Sequence, residues 1–172
     1  EWILANHKQI ECVIVDDGAT VPVLGEPHVI KTANIHKISV LNNQILIPQR
    51  RSSSGALVKG LLKSLARDHL ARASDHYAQR IGQTYQGLRL RDTRSRWGSC
   101  SSNGYLMYSW RLIMAPPSVL YYVSAHEVAH LVEMNHSKYF WSVVHNIYGD
   151  YAEARDWLRT HGKQLHRYDF NS

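Results

Sequence analysis

Cysteine is nearly missing from this chain: Cys12 and Cys100 are the only two in 172 residues. Neither belongs to a C-x-x-C pair, which removes zinc-finger and thioredoxin-type readings, and two thiols cannot build a disulfide framework. Long apolar runs are missing as well. None approaches the roughly 18–20 residues of a membrane span, so no membrane partner is expected. There is no glycine-rich phosphate loop. Acidic residues are in deficit, 14 against 20 Lys and Arg, which leaves a net charge of +6.

Histidine, by contrast, is abundant, with 11 residues. A chain of this length, 44% hydrophobic and 20% charged, buries a core without crosslinks. It fits one domain, or one domain with a small extension. The first residues, Glu1-Trp2-Ile3, do not read as a signal peptide. With so little cysteine, a reducing, cytoplasmic setting is expected.

Two kinds of periodicity divide the chain. Residues 1–55 read as an N-terminal β-rich segment. Short β-branched stretches at Val21–Leu24, His28–Ile30, Ile38–Leu41 and Ile45–Ile47 are separated by turn signals, including Asn42-Asn43 as a hairpin turn. Gln49–Gly55 is polar and reads as a linker. Residues 56–172 read as the catalytic region. Leu57, Val58, Leu61, Leu62, Leu65 and Ala66 recur at helical spacing in a helix from Ala56 to Ile81. Leu88–Thr93 and Tyr105–Ile113 read as strands around an arginine- and serine-rich loop, Arg94–Gly104. Ser118 is a good N-cap for a helix reaching about Met134, and helices follow at about Lys138–Tyr148 and Tyr151–His161, with Gly162 as a stop. The order of strands, helix, hairpin and helices predicts an α+β fold.

The strongest chemical signal is His126-Glu127-Val128-Ala129-His130, an H-E-x-x-H pattern on a helix. Four residues is one turn plus a little, so both imidazoles leave the same face and converge on one zinc ion. Glu127, one step around the helix, is placed to take a proton from a metal-activated water without ligating the metal. A catalytic zinc needs a third protein ligand. Glu133 shares the face, but seven residues of straight helix place it about 10.5 Å from His126. His136 is better placed if the helix breaks first, and Asn135 tolerates the left-handed conformation that ends helices. His145 and Glu153 remain outside candidates. Shuffling this composition yields the motif with a third His at the tenth position in roughly one sequence in a thousand.

The ordered set Arg96-Trp97-Gly98-Ser99-Cys100-Ser101, Trp110-Arg111-Leu112, Tyr122-Val123, His126–Leu131 and Asn135-His136-Ser137 through Phe140-Trp141 resembles the YgjP-like metallopeptidase family. The likeness covers roughly residues 56–160 well, and the N-terminal β segment more loosely. It implies a zincin-like domain related to the SprT-like zinc proteases. It also implies a metal triad of His126, His130 and His136, Glu127 as the catalytic acid–base, and one Zn2+ per chain.

Other residues carry weaker expectations. Tyr105–Ile113 is expected to be an edge strand lining the cleft and pairing with an extended peptide. Arg111 is expected either to hold a substrate carbonyl or carboxylate or to sit in a structural ion pair. Arg96 and Gly98 are grouped with it as substrate-binding candidates. Trp97 is expected to pack beneath the cleft, and Cys100 to be a buried small residue. Arg89, Arg91, Arg94 and Arg96 alternate, and on one strand they would form a basic stripe. His69 and His76 lie seven apart on the long helix without a further ligand. The principal expectation is a zinc metallopeptidase acting on peptides or proteins. The first alternative is a metal-dependent nucleoside triphosphate pyrophosphatase, an activity the family resemblance also implies. The second is a nucleic-acid-associated SprT-like protease using the arginine stripe.

Overall fold

Alternation of apolar and polar residues lays down the first sheet. In the computed structural model, which describes residues 10–49 and 53–172, Val21 and Val23 of β2 (Thr20–Val23) and Ile30 of β3 (Glu26–Ala33) point inward. Ile45 and Ile47 of β5 (Gln44–Pro48) do the same, while β4 (Ser39–Leu41) is exposed along its length. The strand order is β2-β3-β5-β4, with β3 and β5 parallel and the other two pairs antiparallel. Both hairpins close through two residues with positive φ: Leu24-Gly25 at 50° and 79°, and Asn42-Asn43 at 49° and 58°. That is the geometry matching strand twist. The hairpin expected at Asn42-Asn43 is present.

The expected linker at Gln49–Gly55 falls partly on residues 50–52, outside the described residues. Its end is corrected: α1 (Ser54–Arg80) begins inside it, because Ser53 Oγ accepts from the Ala56 N–H at 3.2 Å and caps the first turn. Val58, Leu62, Ala66, Leu70, Ala73 and Tyr77 form its buried stripe. These residues share one apolar cluster with Val21, Ile30 and Ile45 of the first sheet. The two segments therefore fold around a common core.

The second sheet differs from its sequence reading. β6 (Gly87–Arg91) stops two residues early, and β8 (Tyr105–Ser109) stops at Ser109. Trp110–Met114 winds into a 3-10 turn whose five side chains are all buried, which no half-exposed strand permits. The loop expected over Arg94–Gly104 contains a strand, β7 (Gly98–Cys100). The order is β6-β8-β7, so β8 is central and β7 is an edge. The expectation that Tyr105–Ile113 is the edge strand is corrected on this point. A two-stranded parallel pair of β1 (Val13–Ile14) and β9 (Tyr168–Asp169) joins the chain's two ends.

The helix α2 (Pro117–Ala129) is the central element, buried on nearly every side and packed on α1, β7, α3 (Lys138–Tyr148) and α4 (Ala152–His161). Hydroxyls of Ser74 on α1, Tyr108 on β8 and Ser124 on α2 meet at 2.9 and 3.1 Å, satisfying one another inside the core and fixing the three elements together. The expected N-cap, Ser118, is not used; Pro116 holds that place without a side-chain bond. α4 ends at His161 with Gly162 as its C-cap, as expected, and a 3-10 segment runs on from Gly162 to Arg167. No helix among the described residues is long and apolar enough to cross a membrane.

Candidate metal centre

The early end of α2 assembles the site. The sequence reading carries this helix to Met134, but it ends at Ala129. The N–H groups of His130, Leu131 and Val132 donate to the carbonyls of Glu127, Val128 and Ala129, three residues back. This tightening releases the chain one turn earlier than expected. The reversal needs no left-handed residue. Positive φ outside glycine occurs only at Leu24, Asn42 and Asn43 among the described residues, so the role given to Asn135 is corrected. Glu133 stabilises the turn instead, its Oε1 accepting from the Asn135 N–H at 3.2 Å.

His126, His130 and His136 thereby meet. Their ligating nitrogens lie within 4.8 Å of one another, and His126 Nε2 and His136 Nε2 are 3.2 Å apart. His130 Nδ1 faces the Glu133 carbonyl oxygen at 3.0 Å, which fixes the ring and leaves Nε2 for the centre. Phe140 stacks on His130 at 4.4 Å between centroids, and Trp141 lies over His136 at 6.0 Å. Burial pushes His126 down to about 3, helped by His130 and His136, and burial also lowers His130. Neutral imidazoles present lone pairs, which is the state a metal ligand requires. Three converging imidazole nitrogens, one braced from behind by a carbonyl, fit a divalent transition-type ion.

Glu127 points from the same turn into a cleft of about 210 Å³ bounded by Trp97, Gly98, Tyr122 and Val123. Burial lifts its carboxyl to about 8, with Arg96 pulling the other way. Its Oε1 stands 3.8 Å from His126 Nε2. Gly98 on β7 lies directly against it: a Cβ there would meet Glu127 Cγ at 2.8 Å and the Met107 carbonyl oxygen at 3.0 Å. The strand beside the active helix is thus β7.

The remaining candidates separate. Arg111 does not reach the cleft. It is 6% exposed, its Nε donates to Asp92 Oδ1 at 2.7 Å, and its Nη1 donates to the carbonyls of Leu165 and Tyr168. Of the two roles expected for it, the structural ion pair is the one present. The arginine stripe is also corrected. β6 carries only Arg89 and Arg91 on one exposed face, and Arg94 and Arg96 fall on the bend beyond its end. Cys100 is half-buried, and burial lifts its thiol to about 11 with Glu127 adding to it, so it stays protonated. His69 and His76 line a separate cavity with no third metal-ligating group among the described residues. His145 and Glu153 take no part in the histidine cluster.

Arg155 was missed by the sequence reading. It sits over the Trp141 ring at 4.6 Å, and its charge contributes to lowering His126. The available signal was its place on α4 three residues before Leu158, which lines the same cleft.

A histidine at the end of a helix, the histidine that caps it and a third from the following loop, beside a buried carboxylate on an α+β frame, form a metallopeptidase-type site. The YgjP-like metallopeptidase domain model matches residues 1–161, and the chain belongs to the YgjP-like family. Family membership makes it a metal-dependent hydrolase of the peptidase class, with peptide or protein substrates. No curated protein matches it. Among solved structures it is similar to the metallopeptidase zymogen abylysin of Pyrococcus abyssi, at 19% identity and a TM-score of 0.48, covering 58% of this chain and 97% of that one.

Proposed function

We propose that this chain is a zinc-dependent peptidase in which His126, His130 and His136 hold one zinc ion and Glu127 is the general base. The observation that carries the reading is the convergence of the three imidazoles beside a carboxylate that burial keeps basic. An all-nitrogen donor set favours zinc over the harder divalent ions. When bound, zinc supplies Lewis acidity that acidifies water and polarises a carbonyl. Glu127 takes the proton from the attacking water at a carboxylate oxygen and returns it to the leaving amine nitrogen. The Glu133 carbonyl holds the His130 ring, and Trp97 and Tyr122 wall the cleft against water. Edge strand β7 offers main-chain groups to an extended peptide, and Arg96, whose field reaches Glu127, is the substrate-facing cation in place of Arg111. An exposed free thiol at Cys12 suits a reducing, cytoplasmic setting.

The test is metal content and hydrolysis of a casein-type peptide by pure protein, before and after chelation. One zinc per chain and chelator-sensitive cleavage are expected. Glu127→Gln is expected to keep its metal and lose about 100-fold or more in kcat. Undiminished hydrolysis by Glu127→Gln overturns the assignment of the base, and pyrophosphate release from a nucleoside triphosphate without peptide cleavage overturns the peptidase reading.

A further inference from the structure

A further cavity, of about 390 Å³, is separate from the metal cleft. Arg94, Lys163, His166 and Arg167 line it with Ile10 and Cys12, and no carboxylate among the described residues does. The cations come from two separate segments, the bend after β6 and the 3-10 segment after α4, which the fold brings to one opening.

Both ring nitrogens of His166 and the Nε of Arg167 are closed to solvent and have no hydrogen-bond partner among the described residues. The donors open to a ligand are therefore those of the exposed Arg94 and Lys163 side chains. Asp92, whose charge reaches His166, is committed to Arg111 and does not neutralise them.

The cavity adjoins the cleft through one side chain. His166 stacks on Trp97 at 5.3 Å and 26°, and Trp97 is itself a wall of the cleft that holds Glu127 and His126. An extended peptide lying in the cleft and running past Trp97 brings its further side chains to the cavity. Arg96 and Arg155, whose charges act on Glu127 and His126, continue the positive field to the metal centre.

We propose that this basic pocket is a carboxylate subsite of the peptidase cleft, and that the favoured substrate is an acidic polypeptide lying across Trp97. The proposal rests on the peptidase reading and adds its substrate class. Guanidinium and ammonium donors with a neutral imidazole between them match one or two carboxylates of Glu or Asp side chains. Inorganic phosphate shares that chemistry and serves as a competitor.

The experiment measures equilibrium binding of fluorescein-labelled ten-residue peptides to metal-loaded Glu127→Gln protein, so that nothing is cleaved. Three peptides differ only in carrying Gln throughout, three Glu in the N-terminal half, or three Glu in the C-terminal half. One of the two Glu peptides is expected to bind about tenfold tighter than the Gln peptide, the step supplied by one well-made charge-assisted contact. The ratio is expected to fall towards one when Arg94→Gln and Lys163→Gln are combined, both side chains being exposed. It is also expected to fall at high salt and with millimolar inorganic phosphate. Equal binding of Glu and Gln peptides overturns the proposal and leaves the peptidase reading standing. So does a preference that survives in the double variant. Phosphate binding to the pocket without any Glu preference assigns it to a free anion, which also overturns the proposal. Failure of every peptide to bind overturns the peptidase reading and the proposal with it.

Discussion

Arg111, at the junction of the second sheet with the chain's C-terminal segment, and Glu127, in the cleft, are buried to the same depth, 6% and 5% exposed. Their surroundings are opposite. Arg111 finds a carboxylate and two backbone carbonyls, and stacks over the rings of Trp110 at 4.8 Å and Phe170 at 5.4 Å. Glu127 makes no side-chain hydrogen bond among the described residues; it has His126 at 3.8 Å and the Cβ-free backbone of Gly98 against it. One buried charge is fully engaged and ties the C-terminal 3-10 segment to the second sheet. The other lacks close hydrogen-bond donors, so its proton is available to a substrate. Depth of burial does not distinguish a structural ionisable group from a reactive one; the completeness of its partners does.

The largest expected effect breaks the engaged side of this pair. Arg111→Met removes the ion pair and leaves the Leu165 and Tyr168 carbonyls without a donor. The Asp92 side chain is 40% exposed and recovers some hydration, so the expected loss is about 3 kcal/mol, towards the lower end for buried pairs. Glu127→Gln is expected to lose no stability at neutral pH. Urea unfolding of the two variants beside wild type, at unchanged m, measures the difference. Comparable losses in both would show that the two residues are not differently supported.

A second comparison uses pH on the metal-free protein. Glu127 is raised from 4.5 to about 8, so the folded state binds more protons than the unfolded one between those values, and stability falls as pH rises through that window. His126 is lowered from 6.5 to about 3, so the folded state binds fewer protons there, and stability is lost as pH falls through 6.5 towards 3. The two slopes oppose between 4.5 and 6.5, giving a plateau with an alkaline limb from Glu127 and an acid limb from His126. Asp92 steepens the acid limb. Burial raises its carboxyl, but the hydrogen bond and charge of Arg111 more than reverse that, so protonating it costs stability. Glu127→Gln is expected to flatten the alkaline limb alone, and Arg111→Met to change the acid limb alone. Thermal unfolding from about pH 2.5 to 9 reads both, and an alkaline limb unchanged in Glu127→Gln would contradict the assignment.

The histidine cluster was legible because its information is local. The spacing of His126, Glu127 and His130 specifies one helix face, and the position of His136 requires only that the helix end before it. Where it ends was less legible: the three-residue hydrogen bonds after Ala129 leave no capping residue in the sequence, and Asn135 was a misleading signal. The second sheet was read least well. β7 is three residues long inside a polar loop, too short to show alternation, and exists because β8 pairs with it. Arg111 remained ambiguous because its partners lie 19, 54 and 57 residues away in the chain. Such partners are set by packing rather than by pattern.

A smaller loss of stability than that of Arg111→Met, and the most informative about position, is expected at the boundary between β7 and α2. Gly98→Ala introduces a Cβ 2.8 Å from Glu127 Cγ and 3.0 Å from the Met107 carbonyl oxygen. The Met107 carbonyl belongs to the central strand and is held by the sheet, whereas the Glu127 side chain has no hydrogen bond among the described residues to restrain it, so Glu127 moves. The expected stability loss is about 1–2 kcal/mol, typical of one added methyl in a tight site. The expected activity loss is larger, about tenfold to a hundredfold, because a base displaced by a fraction of an ångström no longer meets its proton. Metal content stays at that of the parent, since the atoms nearest the added Cβ belong to Glu127 and Met107 and not to a histidine. In a Glu127→Gln background the same substitution keeps its stability cost and removes no further activity, a non-additivity that identifies Glu127 as the group being displaced. Full additivity in that double variant would instead place the effect of Gly98 on the substrate's path along β7.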